Sequence, residues 1–257
     1  AAMVAPKLFA KAGATVSAFF TETDGKKINA ECGATYPETL MKLMSEGGYD
    51  IGFTYDGDAD RVLAVQNGRL FKGDHLLYLH GKAMKKEGRL YRDTIVVTIM
   101  TNMGVQDACN KNGIKLLRTD VGDKFVYREM KNGFNIGGEE SGHLLFTDYH
   151  TTGDGILSSI LTARLSMDMN LAKEAAEIAE FPTVNCKLKC DKQAKEDFYK
   201  DEMLHDYLEA LEFDGRAIVR PSGTESVIRI TVEARTQAAA EEKAQEIKKV
   251  IEKRLKI

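Results

Sequence analysis

YDIGFTYDGDADR, residues 49–61, reads as a hydrophobic strand that runs straight into an acidic loop. If that loop stays extended, Asp56, Asp58 and Asp60 alternate onto one side, where only a cation would offset the repulsion of three carboxylates. Hard oxygen donors of this kind suit magnesium or calcium. A helix–loop–helix calcium site would need glycine at its sixth position and glutamate at its twelfth; those positions hold Arg61 and Asn67, which excludes it. The other reading, left open by these residues alone, is a solvated acidic turn.

Outward from this loop the chain alternates between helix and strand. Upstream, Val4, Leu8, Phe9 and Ala12 fall at helical spacing. A strand over Val16–Phe20, a polar loop TDGKKINAECGATYPE and a helix from Glu38 to Glu46 follow. Residues 1–61 are therefore expected to be a partial α/β domain. The chain does not open with methionine, and no strand precedes its first helix, so the natural gene product is expected to begin upstream.

Residues 62–170 predict a second α/β domain. It runs from strand VLAVQ and a turn at Asn67-Gly68 to a helix from Gly73 to about Lys86. A buried strand TIVVTIM comes next, then a helix after Asn102, a strand at Lys115–Arg118 and a helix over Gly122–Lys131. A strand ahead of Gly137-Gly138 and a helix ending near Met169 complete it. From 178 to 257 the character changes to α+β: a lysine-rich strand, an amphipathic stretch, strands RAIVR and SVIRITVEA, and a long terminal helix. Ala240, Ala244, Ile247, Ile251 and Leu255 form one apolar stripe on that helix.

Charged residues are 29% of the chain, with both signs interspersed and a net charge of −3, so there is no basic footprint for nucleic acid. Small molecules are the expected partners, and a homodimer is left open. Apolar runs such as IVVTIM fall far short of the ~20 residues a membrane helix needs. Cys32, Cys109, Cys186 and Cys190 lack metal-ligand spacing and no secretory signal precedes them; the expectation is reduced thiols in a cytoplasmic protein.

Two further motifs carry chemistry. GGEESGH, residues 137–143, gives a short loop acceptors at Glu139 and Glu140, a hydroxyl at Ser141 and an imidazole at His143, a set suited to sugar hydroxyls or to a plain polar turn. RPSGTE, residues 220–225, places Ser222, Gly223 and Thr224 where consecutive N–H groups and hydroxyls can surround an anion, with Arg220 and Arg229 able to clamp its oxygens. A Pro-Gly hairpin turn is the alternative. TTGDG at 151–155 reads as a helix cap, and VGDK at 121–124 puts Lys124 in the first turn of a helix, against the preference of the helix dipole.

In this order, DGDADR, GGEESGH and RPSGTE resemble the metal, sugar-recognition and phosphate-binding loops of the α-D-phosphohexomutase superfamily. KINAECGATYPETL at 27–40 and DYHTTGDG at 148–155 are similar to its phosphoglucosamine mutase branch. The resemblance implies most of a second α/β domain, a complete third and a C-terminal domain like the TATA-box-binding protein. It implies interconversion of glucosamine 6-phosphate and glucosamine 1-phosphate through a phosphoserine and a 1,6-bisphosphate, toward cell-wall precursors. By the resemblance, Asp56, Asp58 and Asp60 hold Mg2+, and Arg61 and Lys124 lie near the transferring group. Glu139, Ser141 and His143 contact the sugar, and Arg220, Ser222, Gly223, Thr224 and Arg229 hold the other phosphate.

The family's nucleophile is a serine in a Ser-His-Asn-Pro type loop. No serine of this chain has that context, so the chain alone is expected to be inactive. Three positions depart from the pattern: Glu140 for glutamine, Ser226 for proline and Lys124 for arginine. The alternatives are a phosphomannomutase/phosphoglucomutase and a non-catalytic sugar-phosphate or magnesium-binding fragment.

Overall fold

The computed structural model describes residues 1–22 and 24–257, so the first residue of the expected polar loop, Thr23, lies outside it. The chain divides into two compact units, one of Ala1–Thr101 with Val105–Ala179, the other of Asn102–Gly104 with Glu180–Ile257.

The first unit opens with α1 (Ala5–Lys11) and α2 (Glu38–Gly47) and continues into β1 (Gly52–Tyr55), β2 (Val62–Gln66) and β3 (Arg69–Phe71). These strands form an antiparallel sheet in the order β1-β2-β3. Asn67 and Gly68, both at positive φ (51° and 73°), close the β2–β3 hairpin, a turn whose twist matches the flanking strands. The DGDADR loop is the β1–β2 connection, and Tyr55 pairs with Val62 at its base. The expected strand over Val16–Phe20 does not form. A strand needs a ladder partner, and among the described residues this segment has none.

The same unit continues with α3 (Gly73–Lys86), β4 (Thr94–Thr98), α4 (Met103–Lys111, whose first two residues fall in the second unit), β5 (Lys115–Thr119), α5 (Asp123–Met130), β6 (Ile136–Gly138), β7 (Leu144–Phe146), α6 (Gly155–Asp168) and α7 (Leu171–Ala175). The second sheet has the order β5-β4-β6-β7. β4 runs parallel to β5 and β6, and β7 is an antiparallel edge. Ile95 and Val97 of β4 face the main core with Leu76, Tyr78, Val105 and Ile136, while Val96 faces a second cluster with Val126, Met130 and Leu145. A central parallel strand covered on both faces must be apolar throughout, which is why TIVVT is a run and not an alternation.

The second unit contains β8 (Thr183–Lys189), α8 (Lys192–Lys200), α9 (Glu202–Glu209), β9 (Gly215–Pro221), β10 (Val227–Ala234) and α10 (Gln237–Leu255). Its antiparallel sheet has the order β8-β10-β9. Ala240, Ala244, Ile247 and Ile251 of α10 are buried in one cluster with Leu188, Ile228, Ile230 and Val232 of the sheet. No helix among the described residues is long and apolar enough to cross a membrane.

His80 on α3 is buried, its Nε2 lies 2.9 Å from Thr162 Oγ1, and its ring meets Phe146 edge-on. Burial, with Arg89 adding to it, lowers its pKa from 6.5 to about 4. Between those values the unfolded chain binds a proton that the folded one refuses, so stability falls as pH drops through the window. Urea unfolding should show a loss on the order of 3 kcal/mol from this group between pH 6.5 and pH 4, and His80→Gln should flatten that slope.

Candidate functional site

The DGDADR loop is bent, not extended. Ala59 sits in the left-handed region at φ 62°, a conformation that costs an alanine about 1–2 kcal/mol. It is held there by a hydrogen bond from Gly155 N to Ala59 O of 2.9 Å. The bend, in place of strand alternation, brings one carboxylate oxygen each from Asp56, Asp58 and Asp60 within 4.8 Å of one another. Arg61 braces the cluster: its N–H donates to Asp56 Oδ1 at 3.2 Å, and its Nε lies 2.9 Å from Asp56 Oδ2 and 3.5 Å from Asp60 Oδ1. Burial pushes the Asp56 carboxyl above its ordinary value, the Arg61 N–H opposes this, and Asp60 adds to it. Asp60 Oδ1 is buried without a hydrogen-bond partner. Three hard oxygen donors this close, with Asp60 Oδ1 short of a hydrogen bond, fit a divalent cation of the Mg2+ class.

The GGEESGH loop is bonded to this cluster. His143 Nδ1 lies 3.0 Å from Asp60 Oδ2. A carboxylate only accepts, so the Nδ1 proton is on the ring and points at Asp60. Val62 N also donates to Gly142 O at 3.0 Å. His143 is therefore turned away from the exposed rim where Ser141 stands, and its buried Nε2 has no hydrogen-bond partner. Glu139 Oε1 accepts from Gly122 N at 2.9 Å, which fixes the carboxylate against the start of α5. Glu140 pairs with Lys72 at 3.1 Å, so the unexpected second carboxylate of this loop already has a cation beside it. Lys72, Glu140 and Ser141 line a cavity of about 290 Å³ with Ala34, Pro37, Leu63 and Leu70. Lys124 is exposed and lies over the Phe125 ring, 4.8 Å from its centroid, with no ion pair among the described residues; the structure does not join it to the metal loop.

The RPSGTE loop belongs to the second unit. Ser222 N donates to Val227 O at 2.9 Å and Glu225 N to Ser222 Oγ at 3.1 Å, which closes the turn between β9 and β10. Gly223 and Thr224 are exposed at its tip, and a Cβ on Gly223 would meet nothing within 4 Å. Arg220 and Arg229 stand directly opposite each other across the strand pair.

Three supporting residues escaped the sequence reading. Lys195 on α8 donates to Ser222 O at 2.6 Å and Glu225 O at 2.5 Å, fastening the RPSGTE loop. Gly153 and Gly155 lie against the GGEESGH and DGDADR loops. A Cβ on Gly153 would stand 2.3 Å from His143 Nε2, and one on Gly155 would stand 2.7 Å from Arg61 O and 2.8 Å from Ala59 O. TTGDG does cap α6, with Asp154 accepting from Leu157 N at 2.9 Å, but its glycines also admit the two loops.

Residues 72–183 match the α/β/α domain III of phosphoglucomutase/phosphomannomutase, and residues 171–250 match the C-terminal domain of the same family. The chain belongs to that family. Within it, the chain is similar to a phosphoglucosamine mutase of a Thermoanaerobacter species, 40% identical over 260 residues that cover 98% of this chain and 58% of the relative. A solved phosphoglucomutase/phosphomannomutase family protein of Burkholderia thailandensis shares the fold at a TM-score of 0.81 and 21% identity, over 99% of this chain and 58% of that one. The N-acetylphosphoglucosamine mutase of Aspergillus fumigatus, solved with GlcNAc-6P and magnesium, shares it at a TM-score of 0.67 and 20% identity, over 84% of this chain and 56% of that one. The chain thus spans 58% of the length of the curated relative.

The close approach at Gly155 yields a test. On helix propensity alone, Gly155→Ala at the start of α6 would stabilise by up to ~1 kcal/mol. The clash with two backbone oxygens reverses the sign: denaturant unfolding should show a loss of about 1–3 kcal/mol.

Proposed function

We propose that this chain supplies the metal, sugar and phosphate loops of a magnesium-dependent phosphoglucosamine mutase, which interconverts glucosamine 6-phosphate and glucosamine 1-phosphate. The observation that carries this reading is the bond between Asp60 and His143, 83 residues apart in sequence, which makes the metal loop and the sugar loop one assembly. Identity of 40% to a phosphoglucosamine mutase over 98% of the chain supports the amino-sugar branch. The Aspergillus enzyme solved with a hexosamine phosphate and magnesium supports the ligand class. A cytoplasmic location, and a role in making peptidoglycan precursors, go with the reading.

In this mechanism Asp56, Asp58 and Asp60 hold Mg2+, which when bound supplies positive charge to the phosphoryl oxygens at the transferring centre. Arg61, fixed by its bonds to Asp56, adds a second cation beside them. Glu139, oriented by Gly122, accepts from sugar hydroxyls, and Ser141 on the exposed rim offers a hydroxyl to the same ring. His143 orients the Asp60 carboxylate and so ties the GGEESGH loop to the metal ligands. Arg220, Arg229 and the Ser222–Thr224 turn hold the phosphate that is not being transferred. Phosphoryl transfer to and from the phosphoserine of the whole protein asks of these residues position and charge, and no covalent step.

The test separates the two loops. By isothermal titration of the intact chain, Asp58→Asn should weaken Mg2+ binding by roughly 10- to 100-fold and leave glucosamine 6-phosphate binding in place. Arg220→Ala should weaken the sugar phosphate by a similar factor and leave the metal untouched. If both variants bind both ligands like the parent, the assignment is wrong.

A further inference from the structure

The register of the second unit sets three cations in one row. Arg229 of β10 is directly opposite Lys187 of β8 on one side and Arg220 of β9 on the other. The neighbouring rows, Leu188–Ile228 and Cys186–Ile230, point their side chains into the core beneath α10, so the cationic row lies on the opposite face of the sheet. Partners across antiparallel strands have Cβ atoms about 5 Å apart, and like charges at that spacing repel. Further along the same face the sheet handles charge differently: Glu233 stands opposite Arg216 and binds it at 2.9 Å. The Lys187 row contains no anion of its own.

Its counter-ion comes from the phosphate loop. Glu225 Oε1 lies 3.2 Å from Lys187 Nζ, and Oε2 lies 2.5 Å from Arg229 Nη2. Hydrogen bonds from Lys187 first and Arg229 second hold the Glu225 carboxyl below its ordinary value. One carboxylate against three cations is incomplete compensation. Arg220 makes no ion pair among the described residues, and Arg229 Nε is buried without a hydrogen-bond partner.

We propose that Lys187 is the third cationic ligand of the phosphate site, and that the Glu225 carboxylate is an internal stand-in which an arriving phosphate monoester displaces. This rests on the phosphate reading of the RPSGTE loop. A phosphate monoester carries close to two negative charges on three terminal oxygens, so it answers all three cations where a carboxylate answers two. The exchange swaps one anion for another and makes no covalent bond. Only the Glu225 side chain has to move, because Lys195 pins the backbone carbonyls of Ser222 and Glu225 from below. Open space over Gly223 leaves room for the incoming group.

The two halves of the proposal predict shifts of opposite sign. Inorganic phosphate is titrated into the intact chain at low ionic strength and followed by phosphorus NMR. Lys187→Met should weaken phosphate binding roughly two- to fivefold, Lys187→Arg should restore it, and Glu225→Gln should tighten binding by a similar factor. Both positions are exposed, so thermal midpoints near the parent's are expected and confirm that each variant folds. If Lys187→Met binds like the parent, or Glu225→Gln fails to tighten, the proposal is overturned. Arg220→Ala distinguishes the levels: if it too binds like the parent, the phosphate reading of the loop falls with it, whereas loss of binding there leaves that reading standing.

Discussion

The first unit is organised around a cluster of carboxylates that could not be kept together without help. Asp56 is buried and Asp60 half-buried, and bringing two such groups close is costly in a poorly solvated environment. The chain meets the cost with a fixed set of partners: the Arg61 guanidinium and N–H for Asp56, and the His143 ring for Asp60. Each partner then constrains something else. Arg61 leads directly into the buried strand β2, and His143 closes the sugar loop over Gly153. The acidic loop is thus a junction between two sheets, and its charge balance is part of the packing of the unit.

Much of this was legible in the sequence because the residues announce their own geometry. TIVVT had to be a strand buried on both faces, and the alanine–isoleucine stripe on α10 had to lie on a sheet. The Asn-Gly pair had to close a hairpin. Asp56, Asp58 and Asp60 were recognisable as a group, although by the wrong route: an extended loop was expected, and the convergence comes from Ala59 turning left-handed. Alternation is a property of strands, and nothing local to DGDADR reports that a glycine almost a hundred residues later will hold that turn.

What stayed hidden depends on contacts between distant segments. The contact of His143 with Asp60 joins residues 83 apart in sequence, and only the fold shows it. Gly153 and Gly155 read as part of a cap, since the oxygens and the ring they make room for belong to other elements. Lys187 was one of several lysines on an alternating strand. Its partners Arg229 and Arg220 follow from strand order and register, which a single strand does not encode.

The left-handed turn at Ala59 has a consequence for how the acidic loop meets a cation. Its shape is fixed by protein bonds, from Gly155 to Ala59 and from Arg61 to Asp56. Ordering entropy is therefore settled during folding and is not charged again at the moment of association. The free energy of association for a cation arriving there then goes mainly into stripping water from the ion. A loop held this way has its shape before any cation arrives, whereas a floppy one would have to order itself around the ion.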